Sequence, residues 1–100
     1  MRAVLARRHG PPESLQVENL PSLVPAPGEV VVAVHAAAVN FPDTLIIEDK
    51  YQIKPPLPFS PGGEVAGLVK ALGAGAGDAG FRVGDAVIAA CRYGGFAELA

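Results

Sequence analysis

Cysteine, methionine and tryptophan are nearly absent from these 100 residues, with one Cys, one Met and no Trp. Cys91 alone cannot close an internal disulfide, and it excludes a zinc site built on several thiolates. Charge of one sign is also scarce. Eight Lys and Arg face ten Asp and Glu, for a net charge of −2. The basic residues are scattered, and only Arg7 and Arg8 are adjacent. No basic stripe exists, so neither nucleic acid nor an anionic membrane is an expected partner. Long apolar runs are missing as well. The Val30–Val39 stretch is broken by His35 and ends at Asn40, far short of a membrane span. Met1–Arg8 lacks the apolar core of a signal peptide. These absences predict a soluble protein of the cytoplasm.

The chain is rich in punctuation instead, with 10 Pro and 12 Gly. One domain spanning residues 1–100 fits this length. Short β-branched runs lie between the breaks. Strands are predicted over Arg2–Arg8, Leu15–Leu20, Glu29–Val39, Glu64–Leu72, Ala86–Ala90 and Phe96–Leu99. The continuous run Val30-Val31-Val32-Ala33-Val34 suggests burial on both faces. Phe41–Ile47 reads as one short helix. Asn40 suits its N-cap, Pro42 its first turn, and Asp43 its dipole. Tyr51–Pro61 is a proline-rich loop. Many strands and little helix predict a mainly β domain, a barrel or a sandwich.

Gly75-Ala76-Gly77-Asp78-Ala79-Gly80 matches the dinucleotide-binding pattern G-x-G-x-x-G literally. That pattern works only where the glycines open a helix whose first N–H groups meet the pyrophosphate. Here Gly84-Asp85 and a strand over Ala86–Ala90 follow at once. No room is left for a crossover helix, so the glycines read as a hairpin loop.

Three stretches together resemble the medium-chain dehydrogenase/reductase superfamily. They are Pro27-Gly28-Glu29-Val30-Val31-Val32 leading to Ala38-Val39-Asn40-Phe41-Pro42-Asp43, then Pro61-Gly62-Gly63-Glu64-Val65-Ala66-Gly67, then Val83-Gly84-Asp85-Ala86-Val87 with Gly94-Gly95-Phe96-Ala97-Glu98. The resemblance implies a GroES-like, partly open β-barrel with one short helix, the substrate domain of a two-domain enzyme. The Rossmann domain of the family, and the return of the chain that completes the first domain, are not found among these residues.

In the zinc branch of that family a cysteine ligand stands at the position of Asn40 and a histidine ligand at that of Gly63. A neutral amide and a hydrogen replace them here, and the four-cysteine structural lobe has no counterpart. The sequence is similar to the zinc-free branch of quinone and enoyl reductases, through Val39-Asn40-Phe41-x-Asp43 followed by Tyr51 and prolines. The resemblance implies NADPH as hydride donor, held mainly by the missing domain, no metal, and a quinone or α,β-unsaturated carbonyl acceptor. It also leaves room for a homodimer. Asn40 and Tyr51 match polar positions bordering the nicotinamide and substrate cleft, and are the candidate catalytic and cofactor-binding residues.

Each candidate has a plainer reading. Asn40 would serve as an N-cap, worth about 1 kcal/mol, and Tyr51 as an aromatic covering the barrel. Asp43 is read as a helix-start charge and Glu64 as a structural carboxylate. His35 is read as an outward polar position, and Cys91 as an unactivated thiol. Phe41, Phe59 and Phe96 are read as core. A second reading of the whole chain is a stand-alone, non-catalytic GroES-like module for binding or oligomerisation.

Overall fold

The computed structural model describes all residues from Met1 to Ala100. Five strands form in chain order: β1 (Arg2–Leu5), β2 (Gln16–Asn19), β3 (Val30–Ala38), β4 (Glu64–Leu72) and β5 (Ala86–Ala90). One α-helix, α1 (Phe41–Ile46), follows β3 directly. Two short 3-10 turns lie at Pro12–Ser14 and Ala76–Ala79. All strand pairs are antiparallel, β1 with β2 in one sheet and β3-β4-β5 in the other.

The expected last strand, Phe96–Leu99, is instead the seam between the two sheets. Ala97 bridges Ala3 and Leu99 bridges Ala33. The Val4 N–H donates to Phe96 O at 2.8 Å on one side, and the Val34 N–H to Glu98 O at 2.9 Å on the other. This short segment makes only an isolated bridge to each neighbour and no ladder with either. The sheets do not close. The layer runs β2, β1, seam, β3, β4, β5 and stops, a mainly β and partly open architecture with one short helix.

The valine run is buried only in part. Val31 and Val32 are enclosed, but β3 is exposed from His35 onward. Two register shifts explain the change. Val34 pairs with Gly67 and Ala36 with Ala66, which leaves His35 as an extra residue in a bulge. A bulge re-aims the strand that carries it, and His35 faces solvent as a result.

A hydrophobic cluster of Ala6, Ile46, Ile47 and Phe59 anchors α1 against the barrel. Phe59 reaches it because the proline-rich loop pairs with the end of β1. The Ala6 N–H donates to Phe59 O at 2.8 Å, and the Phe59 N–H returns to Ala6 O at 3.2 Å. The first strand therefore ends at Leu5 rather than Arg8, where the chain turns toward this loop. Phe59→Ala should empty the cluster and destabilise the domain by about 3–5 kcal/mol, read as a lower midpoint in urea unfolding. A loss under 1 kcal/mol would mean that the cluster collapses around the deletion.

The surface carries several ion pairs. Arg7 meets Glu18 across β1 and β2 through two bonds, at 2.7 and 2.6 Å. Lys54 meets Asp49 at 2.8 Å, and the Arg2 N–H donates to the Glu98 carboxylate. Hydrogen bonds from Arg7, from Lys54 and from the Arg2 main chain hold these three carboxyls below their ordinary values. A depressed folded-state value stabilises the fold above the unfolded carboxyl pKa, and that contribution is lost as pH falls through the folded value. Unfolding midpoints should therefore fall below about pH 4.5. The slope should be shallow and should flatten in high salt, because Asp49 and Glu98 are exposed and Glu18 is only half-buried. A midpoint unchanged from pH 6 to 3 at low salt would contradict this.

Candidate functional site

The site is built where β3 hands over to α1. Asn40, in extended conformation at φ −121°, stands between the last exposed residues of β3 and the first turn of the helix. Asn40 and Asp43 form a capping box, but its working half is not the one expected. The Asn40 main-chain N–H donates to Asp43 Oδ2 at 2.8 Å. The Asp43 N–H lies toward the Asn40 side chain, yet its hydrogen bond goes to the Asn40 main-chain carbonyl at 3.0 Å. The Asn40 side chain itself makes no cap hydrogen bond. The N-cap position is as expected, and the capping chemistry belongs to Asp43. Asp43 is 7% exposed, a helix-start carboxylate but a buried one.

The half-buried Asn40 amide is flanked by two large apolar residues left in the open, Val39 at 76% and Phe41 at 74% exposure. Phe41 is therefore not core, whereas Phe59 is, and Phe96 is half-buried. A narrow cleft of ≈ 90 Å³ runs beside them, lined by Pro12, Leu15, Val39, Asp43, Pro61 and Phe96 among others. Ligand pockets span about 300–1,000 Å³, so this cleft alone is too small to enclose a ligand of that size.

Tyr51 stands beyond the other end of α1, which is six residues long and so roughly 9 Å. Its ring packs half-buried against the Ala6, Ile46, Ile47 and Phe59 cluster. The structure thus gives Tyr51 the covering role that was its plainer reading. Its hydroxyl is not a buried unpaired group. Asn40 and Tyr51 share no hydrogen bond, and neither lines the narrow cleft. The fold sets the two at opposite ends of one helix.

Glu64 is exposed on the outer face of β4, not buried. Gly63 stands next to it, and a Cβ there would lie 3.3 Å from the Arg92 carbonyl oxygen. Cys91 is close by, with its thiol donating to Gly62 O at 3.4 Å. Burial pushes the Cys91 thiol above its ordinary pKa, which favours the unreactive neutral form. Iodoacetamide at pH 7.5 should accordingly modify Cys91 more slowly than a free thiol, by intact mass against time. Labelling at the free-thiol rate would contradict its half-buried placement. No cluster of three or more His, Cys, Asp or Glu is arranged to hold a metal ion. At the two positions where the resemblance places ligands in the zinc branch, Asn40 offers a neutral amide, a poor zinc ligand, and Gly63 no side chain.

The Gly75–Gly80 loop carries a 3-10 turn at Ala76–Ala79, entered and left through glycines at φ 83° and 99°. β5 then begins at Ala86 with no intervening α-helix, so the loop lacks the helix start that would meet a pyrophosphate. No helix of the structure is long and apolar enough to cross a membrane.

A mainly β, partly open architecture with one short helix and no dinucleotide-binding fold is that of a GroES-like domain. Comparison with known proteins agrees. Residues 26–99 match the family model described as the alcohol dehydrogenase GroES-like domain. The chain belongs to that family. It is 39% identical over 103 residues to quinone oxidoreductase of Rattus norvegicus, covering 100% of this chain and 30% of that protein. The human enzyme is 38% identical, with the same coverage. Among solved structures, Escherichia coli quinone oxidoreductase complexed with NADPH superposes with a TM-score of 0.88 at 32% identity, over 100% of this chain and 30% of that one. Human synaptic vesicle membrane protein VAT-1 homolog-like protein gives a TM-score of 0.92 at 32% identity, over 100% and 32%. The chain spans about a third of the length of the relatives it matches.

Proposed function

We propose that these residues are the substrate-domain portion of an NADPH-dependent reductase that passes a hydride to quinones or α,β-unsaturated carbonyl compounds, without zinc and in the cytoplasm. The observation that carries the reading is the Asn40 amide, half-buried, outside the helix cap, and flanked by exposed Val39 and Phe41. An amide among apolar side chains suits a flat, apolar acceptor with one polar oxygen. The relatives named quinone oxidoreductase, one of them complexed with NADPH, point the same way.

In this reading NADPH supplies the hydride and is held mainly by residues outside this chain. The Asn40 amide donates to the acceptor's carbonyl oxygen or to the nicotinamide amide. Placed ahead of time, it stabilises charge developing on that oxygen. The Tyr51 hydroxyl offers a second hydrogen bond from the far end of α1. Val39 and Phe41 exclude water from the acceptor's face. Orientation of acceptor against nicotinamide supplies most of the rate. The test is NADPH oxidation by the full-length chain with a panel of benzoquinones, naphthoquinones and enones. Turnover with at least one class is expected, and none with any acceptor would overturn the reading.

A further inference from the structure

We propose that Asp43 is a positioning residue for Asn40: its buried carboxylate holds the Asn40 main-chain N–H while its own N–H is met by the Asn40 main-chain carbonyl, which leaves the Asn40 side chain free for the acceptor. The proposal rests on the role given to Asn40 above. An asparagine at an N-cap ordinarily turns its side-chain oxygen onto the N–H groups of the first helical turn. That would bend the amide into the helix and spend its acceptor oxygen there.

In this chain Asp43 removes the demand from both sides. Its carboxylate accepts the Asn40 N–H at 2.8 Å, and its own N–H donates to the Asn40 carbonyl at 3.0 Å. Both main-chain polar groups of Asn40 are thereby tied to one residue. Two such bonds fix the φ and ψ of Asn40, and with them the direction in which its Cβ leaves the chain. Asp43 is itself held. It is 7% exposed, and its carbonyl accepts the Ile47 N–H at the end of α1. Thr44 adds a bond from its hydroxyl to Phe41 O at 2.7 Å, which steadies the same turn. Asp43 also lines the narrow cleft with Val39, Pro61 and Phe96.

The experiment is a double-mutant cycle in the full-length chain, with NADPH and a benzoquinone. The variants are Asn40→Ala, Asp43→Ala, the pair together, and Asp43→Asn. A misplaced catalytic group costs up to about 100-fold, so Asp43→Ala should lower kcat/KM for the quinone by roughly 10- to 100-fold. In the Asn40→Ala background the same change should cost less than about threefold, because the two act as a unit. Asp43→Asn keeps an acceptor oxygen for the Asn40 N–H and should recover most of the loss.

A full Asp43→Ala loss in both backgrounds would overturn the positioning role while leaving that of Asn40 intact. An unchanged rate in Asn40→Ala would overturn the role of Asn40 and the proposal with it. Should Asp43→Ala fail to fold, Asp43→Glu replaces it in the cycle, since one added methylene shifts the carboxylate while keeping its charge. The same two outcomes then decide.

Discussion

Gly67→Ala should destabilise the domain by about 3 kcal/mol or more, more than any surface change. Gly67 sits in β4 opposite Val34, beside the bulge at His35. A Cβ built there would overlap the Ala33 carbonyl oxygen and press on Val32 Cγ1. The first obstacle is main chain in the neighbouring strand, so no rotamer change relieves it. Relief requires β3 and β4 to separate at the point where they are paired, and overpacking a fixed site costs about 1–3 kcal/mol even where only side chains must move. Because β3 leads straight into Asn40, the separation would also carry away the start of α1. Small domains hold little stability in reserve, so the expected observation is loss of the cooperative unfolding transition in circular dichroism. A melting curve within a few degrees of the parent would show that the strands part without cost and that the glycine has no packing role.

Asn40→Ala should leave the fold almost untouched and cut turnover severely. At an ordinary N-cap, Asn→Ala costs about 0.5–2 kcal/mol of stability. Here the cap bonds are made by the Asp43 carboxylate and by the Asn40 main chain, and Ala retains that main chain. Unfolding midpoints should therefore change by less than an ordinary cap deletion. Activity should respond differently. Removing one preorganised donor to a developing oxyanion costs about 10²–10³ in kcat, and the loss should appear in kcat more than in KM. Steady-state NADPH oxidation by the full-length chain reads both. A stable variant with undiminished kcat would remove Asn40 from the chemistry. A variant that loses stability and activity together would return Asn40 to the helix cap.

The strands of this fold were legible because their signals are local. β4 and β5 lie where the sequence placed them, since glycines bound each run closely. The seam at Phe96–Leu99 was not, because its partners are Ala3 and Ala33, far away in sequence. A short apolar run does not disclose that it will make only single bridges to distant partners. The bulge at His35 was hidden for the same reason. Alternation of valine and histidine reads as a regular strand, and only the pairing with Gly67 and Ala66 reveals the extra residue. Burial on both faces was overestimated within the run itself, where Val31 and Val32 are buried but Val30, Ala33 and Val34 only half-buried.

The site shows the same division. Asn40 as N-cap, with Pro42 in the first turn, placed the helix start at the right residue. Which of the Asn40 and Asp43 side chains caps depends on tertiary burial of Asp43, which spacing does not carry. Glu64 beside two glycines read as structural and buried, yet the outward face of β4 exposes it. That face continues over Leu68 and Ile88, the latter 87% exposed, and nothing in their β-branched or apolar character signals that they stay uncovered. Phe41 followed the same pattern. An aromatic at a helix start reads as core, whereas here it flanks the amide in the open.

The central claim is that these residues are one part of a larger two-domain reductase. The intact mass of the protein in its source cells tests it most directly. A mass well above 10.2 kDa, on the scale of relatives for which this chain covers about a third, is expected. A mass near 10.2 kDa would contradict it, because no dinucleotide-binding unit lies within these residues, and would favour a stand-alone binding or oligomerisation module.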